Sequence, residues 1–216
     1  LTNATHNSKI LSAYTEACLE SGSKPTSVYQ FCKRIAVEEA DFYSSFGSLD
    51  AVEMALWDSF YENTMQLLEA DKNYASAGRK DQLLSFYFTF FEVLLLNRSY
   101  VLFALEGHKS ILSKMTQLKT LRTRFKAFAS ELIEVGNDER SRWSQHPTQL
   151  FSEAAWVQFL FLLKFWIDDR SAGFEKTDAA IEKSVHTAFT IFDNASLDTL
   201  VDFGKFLWKE KWEATN

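Results

Sequence analysis

Glycine and proline are scarce, with seven and two among 216 residues. A sandwich or barrel of many short strands needs more turn-forming residues than that, so a mostly helical chain is expected. Cysteine is as rare as proline. Cys18 and Cys32 are too few for a disulfide framework, and both fall on apolar helical stripes where a free thiol packs as a small hydrophobe. A reducing cytoplasm is therefore the expected compartment. Basic residues number 23 against 29 acidic, a formal charge of −6, the opposite of a protein that coats nucleic acid. The longest apolar run, Leu83 to Leu96 with Glu92 inside it, is 14 residues. A membrane span needs roughly 20, so it reads as a buried core helix and no span is expected. No charged-then-apolar leader is visible, so no targeting segment is expected, and the three Asn-x-Ser/Thr matches carry no weight without one.

Catalytic and metal-binding patterns are also missing. His6, His108, His146 and His186 are far apart in sequence, with no His-Glu-x-x-His, no Glu-x-x-His pair and no cysteine pair at zinc spacing. Phosphate-cradling glycine loops and a Gly-x-Ser-x-Gly nucleophile turn are absent. Neither an enzyme, a metal nor a cofactor is expected.

What is present is helical periodicity. Ile10, Leu11, Tyr14, Ala17 and Cys18 share one face of a helix over about 8–21, which Gly22 ends. Pro25-Thr26-Ser27 is a start signal for a short helix carrying Val28, Phe31, Cys32 and Ile35 at i, i+3, i+4, i+7. A third short segment runs over 38–46, and Ser48 caps a long helix from Leu49 to about Ala70. Further helices are predicted over 80–96, from Tyr100 to about Met115, over about 118–135 and ending at Gly136, and then over 151–169, 176–192 and 197–212. The last two follow a polar loop and an aromatic-rich segment. The fold class is all-α, with no period-2 strand and no repeat.

Three short helices with a tight turn between the second and third describe a helix-turn-helix. The string from Thr26 to Ser48 resembles the N-terminal domain of the tetracycline-repressor (TetR) family, whose conserved Val, aromatic, Tyr and Phe fall on Val37, Phe42, Tyr43 and Phe46, with its connecting helix from Leu49. The resemblance implies a helix-turn-helix DNA-binding domain over 1–47 and a helical effector-binding and dimerisation domain over 48–216. It implies DNA contacts from Thr26, Ser27, Lys33, Arg34 and Tyr43, while Glu39 or Asp41 could accept a hydrogen bond from a cytosine amine. The departures lie on the outer face. The family's turn Gly is Ala36, its Ser-x-Gly is Glu38-Glu39-Ala40, and its phosphate-contacting Lys is Leu49. Residues 1–50 carry net −2, against the attraction a phosphate backbone offers to Lys and Arg. Two functions follow: a one-component transcriptional regulator, or a protein that kept the fold, lost DNA binding and carries a lipid-like molecule.

In the second domain the resemblance places an effector pocket among helices of residues 80–136, with Phe86, Phe90, Glu92, Tyr100, Phe103 and Phe125 as lining. Such rings suit a small apolar or amphipathic ligand, an acyl chain, drug or quinone, and equally a dry core. Glu92, inside an apolar run, is expected to need a partner, either an arginine or a ligand's polar group. A segment over 107–130 carries six basic residues and no acid. It reads as a solvated face, or as a surface for an anionic head group at a pocket mouth, for a membrane surface or for docking against the acidic first domain. Trp156, Phe159, Leu163 and Trp166 lie close to one helical face and are the expected anchors of a homodimer, or else core.

Overall fold

In the computed structural model, residues 2–105, 116–138 and 147–194 are described, with side chains over 6–105, 116–137 and 147–193. Nine α-helices are found among them: α1 Thr2–Ser21, α2 Val28–Ile35, α3 Glu39–Ser45, α4 Leu49–Ala70, α5 Arg79–Leu96, α6 Arg98–Leu105, α7 Lys119–Asp138, α8 Thr148–Asp168 and α9 Glu175–Asn194. Short 3-10 turns at Tyr74–Ser76 and Ala172–Phe174 complete the pattern, and no strand occurs among the described residues. The helix expected over 197–212, and most of the segment after Leu105 up to Met115, lie outside the described residues.

The chain forms two compact units, one from residues up to 75 with 86–125, the other from 76–85 with residues from 126 onward. In the first, a chain of rings joins the three N-terminal helices. Tyr14 of α1 meets Phe31 of α2 edge to face at 5.7 Å, and Phe31 meets Phe42 of α3 at 6.2 Å. Ile10, Ala17, Cys18, Cys32 and Phe46 fill the remaining core. Burial pushes both thiols up from their ordinary pKa, which keeps them as inert packing groups. Gly22 ends α1 at φ 62°, where a Cβ would be strained. Ser48 caps α4 by accepting from the Ala51 amide at 3.2 Å. Along α4, Val52, Leu56, Trp57, Phe60, Tyr61 and Leu68 are buried. Trp57 donates to Gln117 at 3.4 Å, and Gln117 donates in turn to the Ala104 carbonyl at 3.2 Å.

The predicted stop at Gly136 is corrected: α7 continues to Asp138. The glycine is there for space and not for a turn. A Cβ on it would come within 2.7 Å of the Arg79 guanidinium carbon and 3.0 Å of the Phe192 ring. That guanidinium also lies 5.8 and 5.5 Å from the Phe189 and Phe192 ring centres, within cation-π range of both.

Asp169, at the corner between α8 and α9, is a second feature that sequence spacing did not single out. It is buried and accepts from the Ser171 hydroxyl and amide at 2.7 and 2.8 Å, and from the Thr177 hydroxyl and amide at 2.7 and 2.9 Å. The Ser171 hydroxyl bond above all, helped by the others and opposed by burial, holds its carboxyl well below the ordinary carboxylate pKa. A depressed folded-state pKa adds stability that is present above the unfolded value and lost as pH falls through the folded one. Asp169→Asn, whose amide would face donors, is therefore expected to lower Tm by several degrees at neutral pH. It should also flatten the fall of Tm below about pH 4, measured by thermal unfolding from pH 7 to 2. An unchanged acid limb would remove the assignment.

Candidate nucleic-acid interface and effector domain

Helices α2 and α3 are joined by three residues, and the local chemistry explains the turn. Ser27 opens α2 by accepting from the Gln30 amide at 3.4 Å. Ala36 closes it in the left-handed region at φ 53°, ψ 50°, its amide bonding back to the Cys32 carbonyl. That conformation costs an L-residue with a Cβ about 1–2 kcal/mol. Ala36→Gly is expected to raise stability by about 0.5–1 kcal/mol, read as a higher urea midpoint at unchanged slope. A lower midpoint would show that the loss of unfolded-state restraint outweighs the relieved strain.

The expected contact residues lie on this unit's surface, with differing availability. Thr26, Lys33, Arg34, Glu39, Asp41 and Tyr43 are exposed, and Ser27 is half-buried with its hydroxyl engaged as the cap. Tyr43 is 52% exposed, its ring edge against Phe42 at 5.5 Å, so it is a surface aromatic and not a core one. Tyr29, for which no contact is expected from its sequence position, is 58% exposed on α2. Of the four cations in the first fifty residues, two are engaged within the fold. Arg34 pairs with Glu20 of α1, and Lys24 pairs with Glu53 of α4. Glu39 and Asp41 occupy the first turn of α3, where acids suit the helix dipole and oppose a phosphate.

In the first unit the expected effector-lining rings are gathered together. Phe86, Phe90, Tyr100 and Phe125 are buried. Phe86 stacks on Phe90 at 5.6 Å and packs on Phe125 at 5.4 Å, on Tyr87 at 5.9 Å and on Tyr61 at 5.8 Å. Phe103 is half-buried beside Tyr100 at 6.5 Å. Glu92 is corrected: it is exposed on α5, so the premise of a buried carboxylate seeking a partner does not hold. Two residues of the basic segment have acidic partners beyond the first fifty residues. Arg124 of α7 pairs with Asp58 at 2.6 Å and with Glu62, both on α4, beside the Tyr61 ring at 5.6 Å. Burial pushes the Asp58 carboxyl up, while Arg124 pulls it down. In the second unit, Lys126 pairs with Glu153 at an open depression of about 530 Å³ lined also by Pro147, Gln149 and Leu150. Among the described residues no group of three or more His, Cys, Asp and Glu converges as a metal site.

The sequence profile of the tetracyclin repressor-like C-terminal domain matches residues 82–207, more than half of the chain. The chain belongs to the TetR family. Two solved structures support the fold over nearly its whole length. One, from Syntrophomonas wolfei strain Goettingen and named for the TetR family of transcriptional regulators, superposes with a TM-score of 0.64 at 17% identity, covering 90% of this chain and 98% of that one. Another TetR-named structure, from Shewanella sp. PV-4, gives a TM-score of 0.56 at 17% identity, covering 88% and 97%. No curated protein matches the sequence.

Within this TetR-family chain, the four residues of α8 expected as dimer anchors or else core lie in the core. Trp156, Phe159, Leu163 and Trp166 are buried in the chain itself, with Trp156 stacked on Phe159 at 5.0 Å. A side chain already enclosed by its own fold cannot anchor a second copy. The exposed apolar positions of α8 are Leu150, Val157 and Phe161, the last two 64% and 57% exposed. By length and composition alone α8 could cross a membrane, at a mean hydropathy of 1.4 over its most apolar window. Its Trp156–Trp166 face is instead buried within the second unit. The periodicity was read correctly as a stripe, but α8 is apolar on two faces, and only packing tells which one is enclosed.

Proposed function

We propose that this TetR-family chain is a one-component transcriptional regulator that binds DNA through α2 and α3 and is controlled by a small apolar or amphipathic ligand. The observation that carries the reading is the preserved helix-turn-helix, with its Ser27 cap, left-handed turn residue and shared aromatic core. Thr26, Lys33 and Tyr43 supply phosphate contacts from the exposed rim, Ser27 adds one from its half-buried cap position, and Glu39 or Asp41 faces a base edge as a hydrogen-bond acceptor. The division falls near residue 47, with effector binding among the rings around Phe86 and Phe90. Two copies associate through the exposed α8 stripe of Leu150, Val157 and Phe161, joined by the exposed Ile191 of α9. Two-fold symmetry then matches two half-sites.

The test is a DNA shift against the region upstream of the protein's own gene, across a salt series. Binding is expected at low salt and should weaken steeply as salt rises, and Lys33→Ala should reduce the slope of log affinity against log salt by about 1. No binding at low salt, with or without added ligand, would sink the regulator reading.

A second reading is favoured by the engagement of Lys24 and Arg34 and by the acids on α3. In it the TetR fold persists without DNA binding, as a carrier of a lipid-like molecule. Native mass spectrometry of the purified protein then shows a co-purifying apolar adduct. An adduct-free mass together with a positive DNA shift would reject the carrier.

A further inference from the structure

Buried Glu53 takes no part in the DNA or effector chemistry proposed above. It is 5% exposed on α4, yet its carboxylate serves two other segments. The buried Tyr14 hydroxyl of α1 donates to Oε1 at 2.7 Å. The Lys24 ammonium, in the loop between α1 and α2, lies 2.6 Å from each carboxylate oxygen. One carboxylate thus ties α1 and the following loop to α4, and that loop leads directly into the Ser27 cap of α2.

The two arms differ physically. The Tyr14 arm is a neutral donor inside the core, and burial together with the Glu53 carboxylate pushes its hydroxyl pKa up, which keeps the proton on the donor. Such a bond does not respond to ionic strength. The Lys24 arm is a charge pair whose lysine side chain is 41% exposed. Salt screens a pair that opens to solvent, and water competes for the ammonium once it swings out.

We propose that Glu53 is a positioning residue with one permanent and one releasable arm. The Lys24 arm is a salt-sensitive latch that holds the α1–α2 loop, and with it the start of α2, to α4, while the Tyr14 arm keeps α1 docked when the latch opens. The latch sets how firmly the loop that leads into the Ser27 cap is held to α4. It rests on the fold and not on DNA binding, so its test uses no DNA.

Amide hydrogen exchange read by mass spectrometry on the full chain, at about 20 mM and about 0.5 M NaCl, separates the arms. In the wild type, exchange over residues 22–35 should rise about fivefold with salt, while peptides from α5, α8 and α9 do not change. Lys24→Met should show the high-salt exchange already at low salt and respond no further. Lys24→Arg should restore the salt response, and Tyr14→Phe should retain it. A wild-type chain whose 22–35 segment ignores salt would overturn the proposal. So would a Lys24→Met variant that speeds exchange equally in every helix, or a Tyr14→Phe variant that loses the salt response.

Discussion

Phe86→Ala should cost about 3–5 kcal/mol, the range for emptying a fully buried aromatic site. Phe86 has no exposure and meets Tyr61, Tyr87, Phe90 and Phe125. Removing its ring leaves four others without a packing face, and a ring cluster fixed by helices α4, α5 and α7 collapses only partly. At roughly 2–4 °C per kcal/mol for a chain of this size, Tm should fall by about 10 °C. Phe103→Ala, at a half-buried site, should cost a small fraction of that. Urea unfolding of both variants measures the difference. The comparison also bears on the effector. A loss below about 1 kcal/mol at Phe86 would mean that the ring borders open space and not its neighbours. That outcome would contradict the close ring packing described above.

Paired substitution of Val157 and Phe161 by Glu should convert a dimer into a folded monomer. Both side chains are exposed on α8, four residues apart and on the face opposite Trp156, Phe159 and Leu163. Neither is needed by the fold of its own chain, so unfolding should change little. Two carboxylates forced into an apolar interface without partners should weaken association by at least about a thousandfold. Sedimentation equilibrium at micromolar protein reads the result, with circular dichroism as the check on folding. Phe159→Glu is the contrasting variant: it places a charge in the buried face and should unfold the second unit. An unchanged dimer after the double substitution, or a wild-type monomer, would move the interface elsewhere.

The helices themselves were largely legible. Starts at Val28 and Leu49 followed from Ser27 and Ser48, because a cap is a bond between near neighbours. The rings of the first three helices were also readable, since Phe31, Phe42 and Phe46 recur at helical spacing with no competing apolar face. Glu92 and Gly136 were misread for one reason. A residue's environment inside an apolar or helical stretch depends on what packs against it, and Arg79, which needs the space at Gly136, comes from 57 positions earlier in the chain.

The same limit divides the functional surfaces. Thr26, Lys33 and Arg34 could be named as surface residues from their place in the helix-turn-helix pattern, whereas Tyr43 stood equally as a core aromatic until packing left it 52% exposed. That Arg34 answers to Glu20 and Lys24 to Glu53 could not, because a charge count does not say which acid lies within reach. The composition and periodicity of this chain determined an all-helical fold, its N-terminal helix-turn-helix and the family it belongs to, since all of these rest on local spacing. The tertiary structure alone decided which face of α8 is free, which cations remain for an anion and where Asp169 and Glu53 are held. Each of these depends on partners brought together from distant positions by the packing of helices.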